Sequence, residues 1–225
     1  MPDTFFDYWR KGFPEEDSRK ILHRVFIATL VADASQRELA GMISDQFRSR
    51  VRVLPPENWH LPIIPQRDIA MGDCLELIRR AQQTPLGTSF SVRISRLAAL
   101  PSPEQATTLC LEVSLGDAQV RSLRAAIEEV MLSAGLELNH GSYPAHIVVG
   151  RTQKRADLRD LFESVTESNV RVPIRSVAVL HRKKGSAIDR YENLAVFHLP
   201  SRKFLLPERS STKGKAQDES VDNND

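Results

Sequence analysis

The order of the apolar segments repeats along the chain, and this repeat constrains the fold more than any single motif does. In each half, an apolar strand is followed by a helix and then by a second apolar strand that carries one histidine. The two histidines are His60, in WHLPIIP, and His146, in YPAHIVVGR, and they are 86 residues apart. The helix entrances at Asp33 and Asp117 are 84 residues apart. This agreement predicts an internal duplication, with two related lobes that face each other across a groove.

The individual elements are predicted from the spacing of apolar residues, which alternates along a half-exposed strand and follows the turn of an amphipathic helix. In the first half we predict strands over 22–30, 59–65 and 89–97, and helices over 33–47 and 72–82. In the second half we predict strands over 108–115, 143–151, 171–182 and 191–199, and helices over 116–135 and 156–165.

The two ends of the chain differ in composition from the part between them. Five of the 14 aromatic residues fall in the first 20 positions, where they form an arm that either docks on the protein's own surface or binds a partner chain. The last 19 residues are rich in Ser, Lys, Asp and Asn and lack aromatics, which predicts disorder. We therefore divide the chain into an aromatic N-terminal arm (1–20), a domain (21–206) and a disordered tail (207–225).

Composition narrows the class of protein only slightly. The net charge is +2, and it becomes +4 when the tail, with three basic and five acidic side chains, is left out. That mildly basic balance is compatible with a phosphate-bearing ligand. The two cysteines, Cys74 and Cys110, do not form a disulfide framework, so we expect a reducing, cytoplasmic setting. No stretch resembles a signal peptide or is long enough to cross a bilayer, so we expect no membrane partner.

The histidine strands predict a pair of imidazoles across one groove. Residues two apart on a strand share a face, so His60 looks away from the core if Leu61 and Ile63 are buried, and His146 follows the same rule. Hydrolysis of a phosphodiester needs a base for the attacking water and an acid for the departing oxygen, on opposite sides of phosphorus. Because the ordinary pKa of histidine is about 6.5, one ring can be neutral while the other is charged. A strained cyclic phosphate would need no metal or other cofactor.

These strands and their surroundings resemble the 2H phosphoesterases, specifically the bacterial and archaeal RNA 2′,3′-cyclic phosphodiesterases, also called 2′-5′ RNA ligases. The resemblance covers roughly residues 22–200 and rests on RVFIA, VRVLPPENWHLPII, ALPSPEQATTLCLEV, YPAHIVVGR and GSAIDRYENLAVFHL, the last with Arg190, Tyr191 and Glu192. It implies a bilobal α+β fold in which two duplicated lobes place antiparallel sheets around a central groove, with helices outside. It also implies a monomer that acts on RNA with a 2′,3′-cyclic phosphate end, or on a related nucleotide.

The resemblance also implies roles for single residues. His60 would donate a proton to the leaving oxygen, and His146 would accept one from water. Arg151 would neutralise phosphate charge, and Arg182, with the two lysines after it, would add to that field. The remaining histidines do not repeat between the halves and are expected at the surface or at strand ends: His23, His140, His181 and His198. Their spacing, and that of the cysteines, matches no zinc site.

Two positions depart from the family pattern. The family signature is H-x-T-x on both strands, but Pro62 and Val148 stand where the threonines would be. Each threonine would donate a hydrogen bond to a phosphate oxygen, and loss of one such donor typically costs about 3–4 kcal/mol of transition-state stabilisation. The chain is therefore expected to be either an RNA 2′,3′-cyclic phosphodiesterase, with full or impaired activity, or a non-catalytic module that binds RNA ends or nucleotides on the same fold.

Overall fold

The computed structural model describes residues 22–138, 144–163, 167–182 and 191–201. The aromatic arm, the tail, His140 and Arg190 lie outside the described residues. The strands are β1 (Leu22–Leu30), β2 (Arg52–Val53), β3 (His60–Ala70), β4 (Phe90–Leu100), β5 (Ala106–Leu115), β6 (His146–Ala156), β7 (Val170–Ile174), β8 (Ser176–Arg182) and β9 (Tyr191–His198). The α-helices are α1 (Asp33–Ala40), α2 (Asp45–Arg50), α3 (Met71–Gln83), α4 (Asp117–Ser133) and α5 (Arg159–Phe162). None of the helices in the described part is long and apolar enough to span a membrane.

The strands form one antiparallel sheet whose order is symmetric about its centre. The order is β7-β4-β5-β6-β3-β1-β8-β9, with the short β2 beside β6. Read outward from the central seam, one half runs β3, β1, β8, β9 and the other runs β6, β5, β4, β7. In each half the histidine strand is innermost, and its outer neighbour is β1 in one half and β5 in the other. The predicted α+β class with two related antiparallel halves is confirmed, but the two halves are joined in one sheet.

The sheet is strongly curled. Only Arg175 separates β7 from β8, although these strands belong to opposite halves of the sheet. The ends of the sheet are also linked by backbone hydrogen bonds: the amide of Leu199 donates to the carbonyl of Arg175 at 2.8 Å, and the amide of Ser89 donates to the carbonyl of Pro200 at 2.9 Å. The prediction of a single strand over 171–182 is therefore wrong, because the chain passes at Arg175 from one half of the sheet to the other.

The two faces of the sheet have different neighbours. All five helices of the described part place buried side chains in a large core with Leu61, Ile63, Ile147 and Val149, and we call this side the helix face. A separate small cluster of Phe26, Ala28, Ala178 and Leu180 lies on the opposite side. The ring of His60 contacts that of Phe26, so we call this second side the histidine face. Burying a side chain such as Leu61 stabilises the fold by roughly 1.5–3 kcal/mol.

The predicted helix over 33–47 is two helices. The first ends at Gly41, whose amide donates to the carbonyl of Glu38, and the second begins at Asp45. The break allows Phe47, on the second helix, to be buried in the core at 2% exposure. In one continuous helix, the direction of the Phe47 side chain would be fixed by the helical turn of the residues before Gly41. The burial of Phe47 in the core therefore overrides the continuous helix that the local sequence pattern predicts.

Candidate active site

His60 is the first residue of β3, and its ring is fixed by the backbone just before it. Its Nδ1 lies 2.7 Å from the carbonyl oxygen of Asn58. A carbonyl only accepts hydrogen bonds, so Nδ1 carries the hydrogen and donates it. In the neutral ring, the lone pair is therefore on Nε2, which is the nitrogen that exchanges protons.

His146 is the first residue of β6 and repeats this arrangement. Its Nδ1 donates to the carbonyl oxygen of Pro144, also at 2.7 Å and also two residues earlier in the chain. Both imidazoles are thus held in the same tautomer by the same local device. The repeat seen in the sequence extends to the hydrogen bond that orients each ring.

The central seam of the sheet brings the two histidine strands together. In the described part, β3 and β6 are paired through His60 and Val148. Continuing this antiparallel register by two residues places Pro62 opposite His146. The two histidines are therefore diagonal neighbours on the same face, a relation in which Cα atoms are typically about 7–8 Å apart. Rings on such neighbours can approach one phosphorus atom from two sides.

Pro62 explains why the seam is so short. Proline has no amide hydrogen and cannot donate to a neighbouring strand. Pro62 is paired with Ala28 of β1 on one side, and β6 lies on the other side. Within the described residues the β3–β6 ladder contains the pair His60–Val148 and does not continue to Pro62. A proline at this position therefore cannot donate a backbone hydrogen bond between the two halves.

Each histidine strand contains an irregularity at the same offset from its histidine. On β6 the register with β5 shifts between the pairs Cys110–Val148 and Leu109–Gly150, so Val149 is an extra residue. On β3 the register with β1 shifts between the pairs that involve Pro62 and Ile64, so Ile63 is the extra residue. Both are β-bulges three residues after the histidine. A bulge turns the side chains that follow it to the other face of the sheet.

The bulge on β6 aims Arg151. Simple alternation would put Arg151 on the helix face with Ile147 and Val149, but after the bulge it is Gly150 that faces the helices. A Cβ on Gly150 would lie 2.8 Å from Val51 Cγ1 and 3.4 Å from Leu109 Cβ, and both of these side chains belong to the core. Arg151 therefore turns to the histidine face, where the sequence analysis expected a phosphate-binding cation. The corresponding position on β3 is Pro65, so the cation is present in one half only.

Aromatic rings surround His60. Its ring centroid is 4.9 Å from that of Phe26 and 5.2 Å from that of Tyr191, and these two rings are 5.0 Å apart. Tyr191 is on the edge strand, three strands from β3, which is about 14 Å on a flat sheet. The contact shows that the sheet curls toward the histidine face. Arg182 is paired with Tyr191 across β8 and β9, so it lies at the end of the same cluster.

His146 has polar neighbours instead. Its cross-strand partner on β5 is Glu112, whose carboxylate accepts a hydrogen bond from Arg96 Nε at 2.8 Å. By contrast, the cross-strand partner of His60 on β1 is the apolar residue Leu30. His146 is 4% exposed, and this burial lowers its pKa below 6.5, although the hydrogen bond to Pro144 acts in the opposite direction. A neutral ring with a lone pair on Nε2 suits a proton acceptor.

Sequence reasoning missed Phe26, Tyr191 and Glu112 as neighbours of the histidines. These residues reach the site only through the register of strands that are far apart in sequence. The alternation of apolar residues could place Phe26 on the opposite face of the sheet from Val25 and Ile27. Nothing in the local sequence, however, indicates that a residue at position 191 contacts one at position 60.

The other reactive side chains of the described part take no place in this site. Cys110 faces His146's side of the sheet, but its thiol donates to the Ala98 carbonyl at 3.5 Å, and burial raises its pKa to about 12. It is therefore a thiol and not a nucleophilic thiolate at neutral pH. His23 and His181 contact each other edge to face, with ring centroids 5.2 Å apart, at the far end of β1 and β8. In the segments described, no three metal-ligating side chains converge.

Comparison with known proteins gives a fold and no closer assignment. No family model matches the chain, and no curated protein sequence matches it. Among solved structures, the chain is similar to one described as a phosphoesterase (TM-score 0.66, 12% identity, covering 80% of this chain and 100% of that one). It is also similar to E. coli LigT in the apo form (TM-score 0.66, 13% identity, 80% and 99% covered). A Thermus thermophilus protein gives a TM-score of 0.59 at 17% identity, with 80% and 99% covered.

The architecture and these similarities agree with each other. The curled antiparallel sheet with helices on one face is the LigT-like 2H phosphoesterase fold, which the sequence analysis expected. E. coli LigT has also been solved with 3′-AMP and with phosphate. At these levels of identity the similarity concerns the fold, so the activity of this chain has to be argued from its own residues.

Proposed function

We propose that the protein hydrolyses RNA 2′,3′-cyclic phosphodiesters to 2′-phosphomonoesters with His60 and His146 as acid and base. The observation that carries the proposal is the pair of imidazoles, each with Nδ1–H donated to a carbonyl two residues earlier, on diagonal positions of one sheet face. The phosphate and 3′-AMP that E. coli LigT binds on the same fold support a nucleotide phosphate as ligand.

The reaction uses both rings once in each turnover. Nε2 of neutral His146 takes a proton from a water molecule, and the water oxygen attacks phosphorus. The bond between phosphorus and the 3′ oxygen breaks, and that oxygen receives the proton on Nε2 of His60. The product carries a 2′-phosphate and a 3′-hydroxyl, and proton exchange with solvent resets the two rings. The lowered pKa of His146 keeps it neutral, as this assignment requires.

The basic residues act on the charge that develops at phosphorus. Arg151 is the cation that the bulge turns to the histidine face, and Arg182 is paired with Tyr191, whose ring contacts His60. Val148 and Pro62 supply no hydroxyl, so two donors to the equatorial oxygens are missing. With each donor worth about 10²–10³ in rate, we expect slow turnover.

The test is to incubate the purified protein with an oligoribonucleotide that ends in a 2′,3′-cyclic phosphate and to identify the product by mass spectrometry and ³¹P NMR. We expect a 2′-monoester, and we expect His60→Ala and His146→Ala each to reduce its rate by at least a hundredfold. His198→Ala is the matched control, since His198 is exposed at the end of β9. Product formation that neither site variant slows would refute the mechanism.

The alternative is a non-catalytic module that binds RNA ends or nucleotides at the same cleft, and the two missing hydroxyls favour it. This alternative predicts binding of a 3′-phosphorylated oligonucleotide without turnover of the cyclic substrate. The double variant Pro62→Thr with Val148→Thr is then expected to gain hydrolytic activity, because the chain already has both histidines and Arg151. A double variant that still binds and still does not hydrolyse would count against this alternative.

A further inference from the structure

A polar groove lies on the outer part of the sheet, in the half that contains His146. It has a volume of about 400 Å³ and is lined by Ser89, Phe90, Ser91, Gln119, Arg171, Pro173 and Arg175. It forms where β4 and β7 extend beyond the end of β5, and the first turn of α4 closes one side. The proposed reaction uses none of these residues.

The arginines and Ser91 that line the groove lie on the histidine face, while Phe90 and Gln119 line it from the helix side. Ser91 is paired with Pro173 across β4 and β7, while their neighbours Val92 and Val172 are buried in the core on the helix face. Alternation therefore puts Ser91 and Arg171 on the opposite side of the sheet, which is the side that carries His146. A ligand that crosses this face can touch both the groove and the candidate active site.

The groove is built to hold negative charge. None of the seven described residues that line it is acidic, and two of them are arginines. The guanidinium of Arg171 is oriented by Ser91, because its Nε donates to the Ser91 hydroxyl at 3.0 Å. Hydroxyl and amide groups from the remaining polar residues can donate to further anionic oxygens. Arginine forks with neighbouring hydroxyl donors are typical of phosphate recognition.

Further arginines connect the groove with the site. Arg93 lies between them on β4, on the same face as Arg171, its cross-strand partner. Arg96, further along β4 toward the histidines, is bound to Glu112, the neighbour of His146. Arg93 thus extends the positive charge along β4 from the groove, while the charge of Arg96 is compensated by Glu112.

The separation decides what the groove can bind. Ser91 of the groove is five residues along β4 from Arg96, which is paired with Glu112 beside His146, and five residues of strand span about 16 Å. One phosphate cannot occupy both places, and a mononucleotide is too short to join them. A single-stranded RNA whose cyclic end lies between the histidines carries its next phosphates along this distance.

We infer that the groove binds the phosphate backbone of single-stranded RNA upstream of the reacting end. The preferred substrate is then an oligonucleotide several residues long and not a cyclic mononucleotide. This inference rests on the proposed function for its reacting end, while the groove itself is independent of catalysis.

The first experiment measures length dependence. The protein is compared on a cyclic mononucleotide and on a hexanucleotide with the same cyclic end, and kcat/KM is expected to be at least tenfold higher for the hexanucleotide. Arg171→Ala with Arg175→Ala is expected to remove most of this difference and to leave the mononucleotide rate unchanged. The control is Arg37→Ala with Arg79→Ala, on two helices of the other face. Equal kcat/KM for both substrates in the wild type would overturn the inference.

The second experiment does not depend on turnover. Fluorescence anisotropy measures binding of a labelled hexanucleotide that ends in a 3′-phosphate, at several salt concentrations. The Arg171/Arg175 double variant is expected to bind about tenfold more weakly, and the slope of log K against log salt is expected to fall by about 1.4, since each single-strand phosphate contact contributes about 0.7. Unchanged affinity and an unchanged salt slope would refute the inference that the groove binds the RNA backbone. Absence of any hydrolysis with this binding intact would refute only the proposed reaction.

Discussion

Replacing Gly150 with alanine tests the bulge that aims Arg151. The added Cβ would lie 2.8 Å from Val51 Cγ1, 3.3 Å from the Arg52 carbonyl oxygen and 3.4 Å from Leu109 Cβ. Val51 is 2% exposed, so its side chain has little room to move away. Overpacking of this kind typically costs about 1–3 kcal/mol, and restriction of the unfolded chain by alanine returns about 0.4–1 kcal/mol. We expect a net loss of about 1–2 kcal/mol.

The assay is urea unfolding followed by circular dichroism, with thermal unfolding as a second measure. For a chain of this size, a loss of about 1–2 kcal/mol lowers Tm by about 2–8 °C. Val51→Ala removes the methyl group that the new Cβ meets, so the double variant is expected to be more stable than the sum of the two single losses predicts. Additive losses, or an unchanged Tm for Gly150→Ala, would refute the close approach and with it the account of how Arg151 reaches the histidine face.

Four further predictions concern the chemistry of the candidate active site. Val148→Thr is expected to lower the free energy of unfolding by about 1–3 kcal/mol, because a hydroxyl is buried at a site that is 4% exposed, while it raises the hydrolysis rate; stability and rate moving in the same direction would contradict this. The pKa of His146 is lowered in the folded state, so the unfolded state binds the proton more readily and stability is lost as pH falls through 6.5. His146→Gln is expected to remove that part of the loss, which is measured as the difference between urea midpoints at about pH 7.5 and pH 5. The same lowered pKa puts the acid limb of kcat/KM below pH 6.5, and a limb above that value would contradict the base assignment. Arg96→Ala releases the Glu112 carboxylate beside His146 and is expected to move this limb upward, which histidine NMR titration can measure directly.

The local spacing of apolar residues was sufficient to predict those parts of the fold that depend on residues close together in sequence. The first strand, predicted over 22–30, has these bounds in the structure. The alternation around Leu61 and Ile147 predicts which side chains enter the core, and both are fully buried. These features follow from apolar periodicity, which the sequence displays directly.

Features that depend on distant pairing could not be predicted in this way. The bulges after Pro62 and Val148 are defined by register with other strands, and only Gly150 hints at one of them. The break at Arg175 arises because two apolar strands happen to be consecutive in sequence while they lie in opposite halves of the sheet. The contact between Tyr191 and His60 depends on the curl of the whole sheet.

The central claim is that the two imidazoles face one phosphate, and ¹⁵N NMR of the histidine side chains during a phosphate titration tests it most directly. We expect the Nε2 signals of His60 and His146 to shift together with one apparent Kd, while both Nδ1–H signals remain and His198 does not respond. If only one of the two rings responds, or if the two give different Kd values, the histidines do not share a phosphate and the proposed mechanism is wrong.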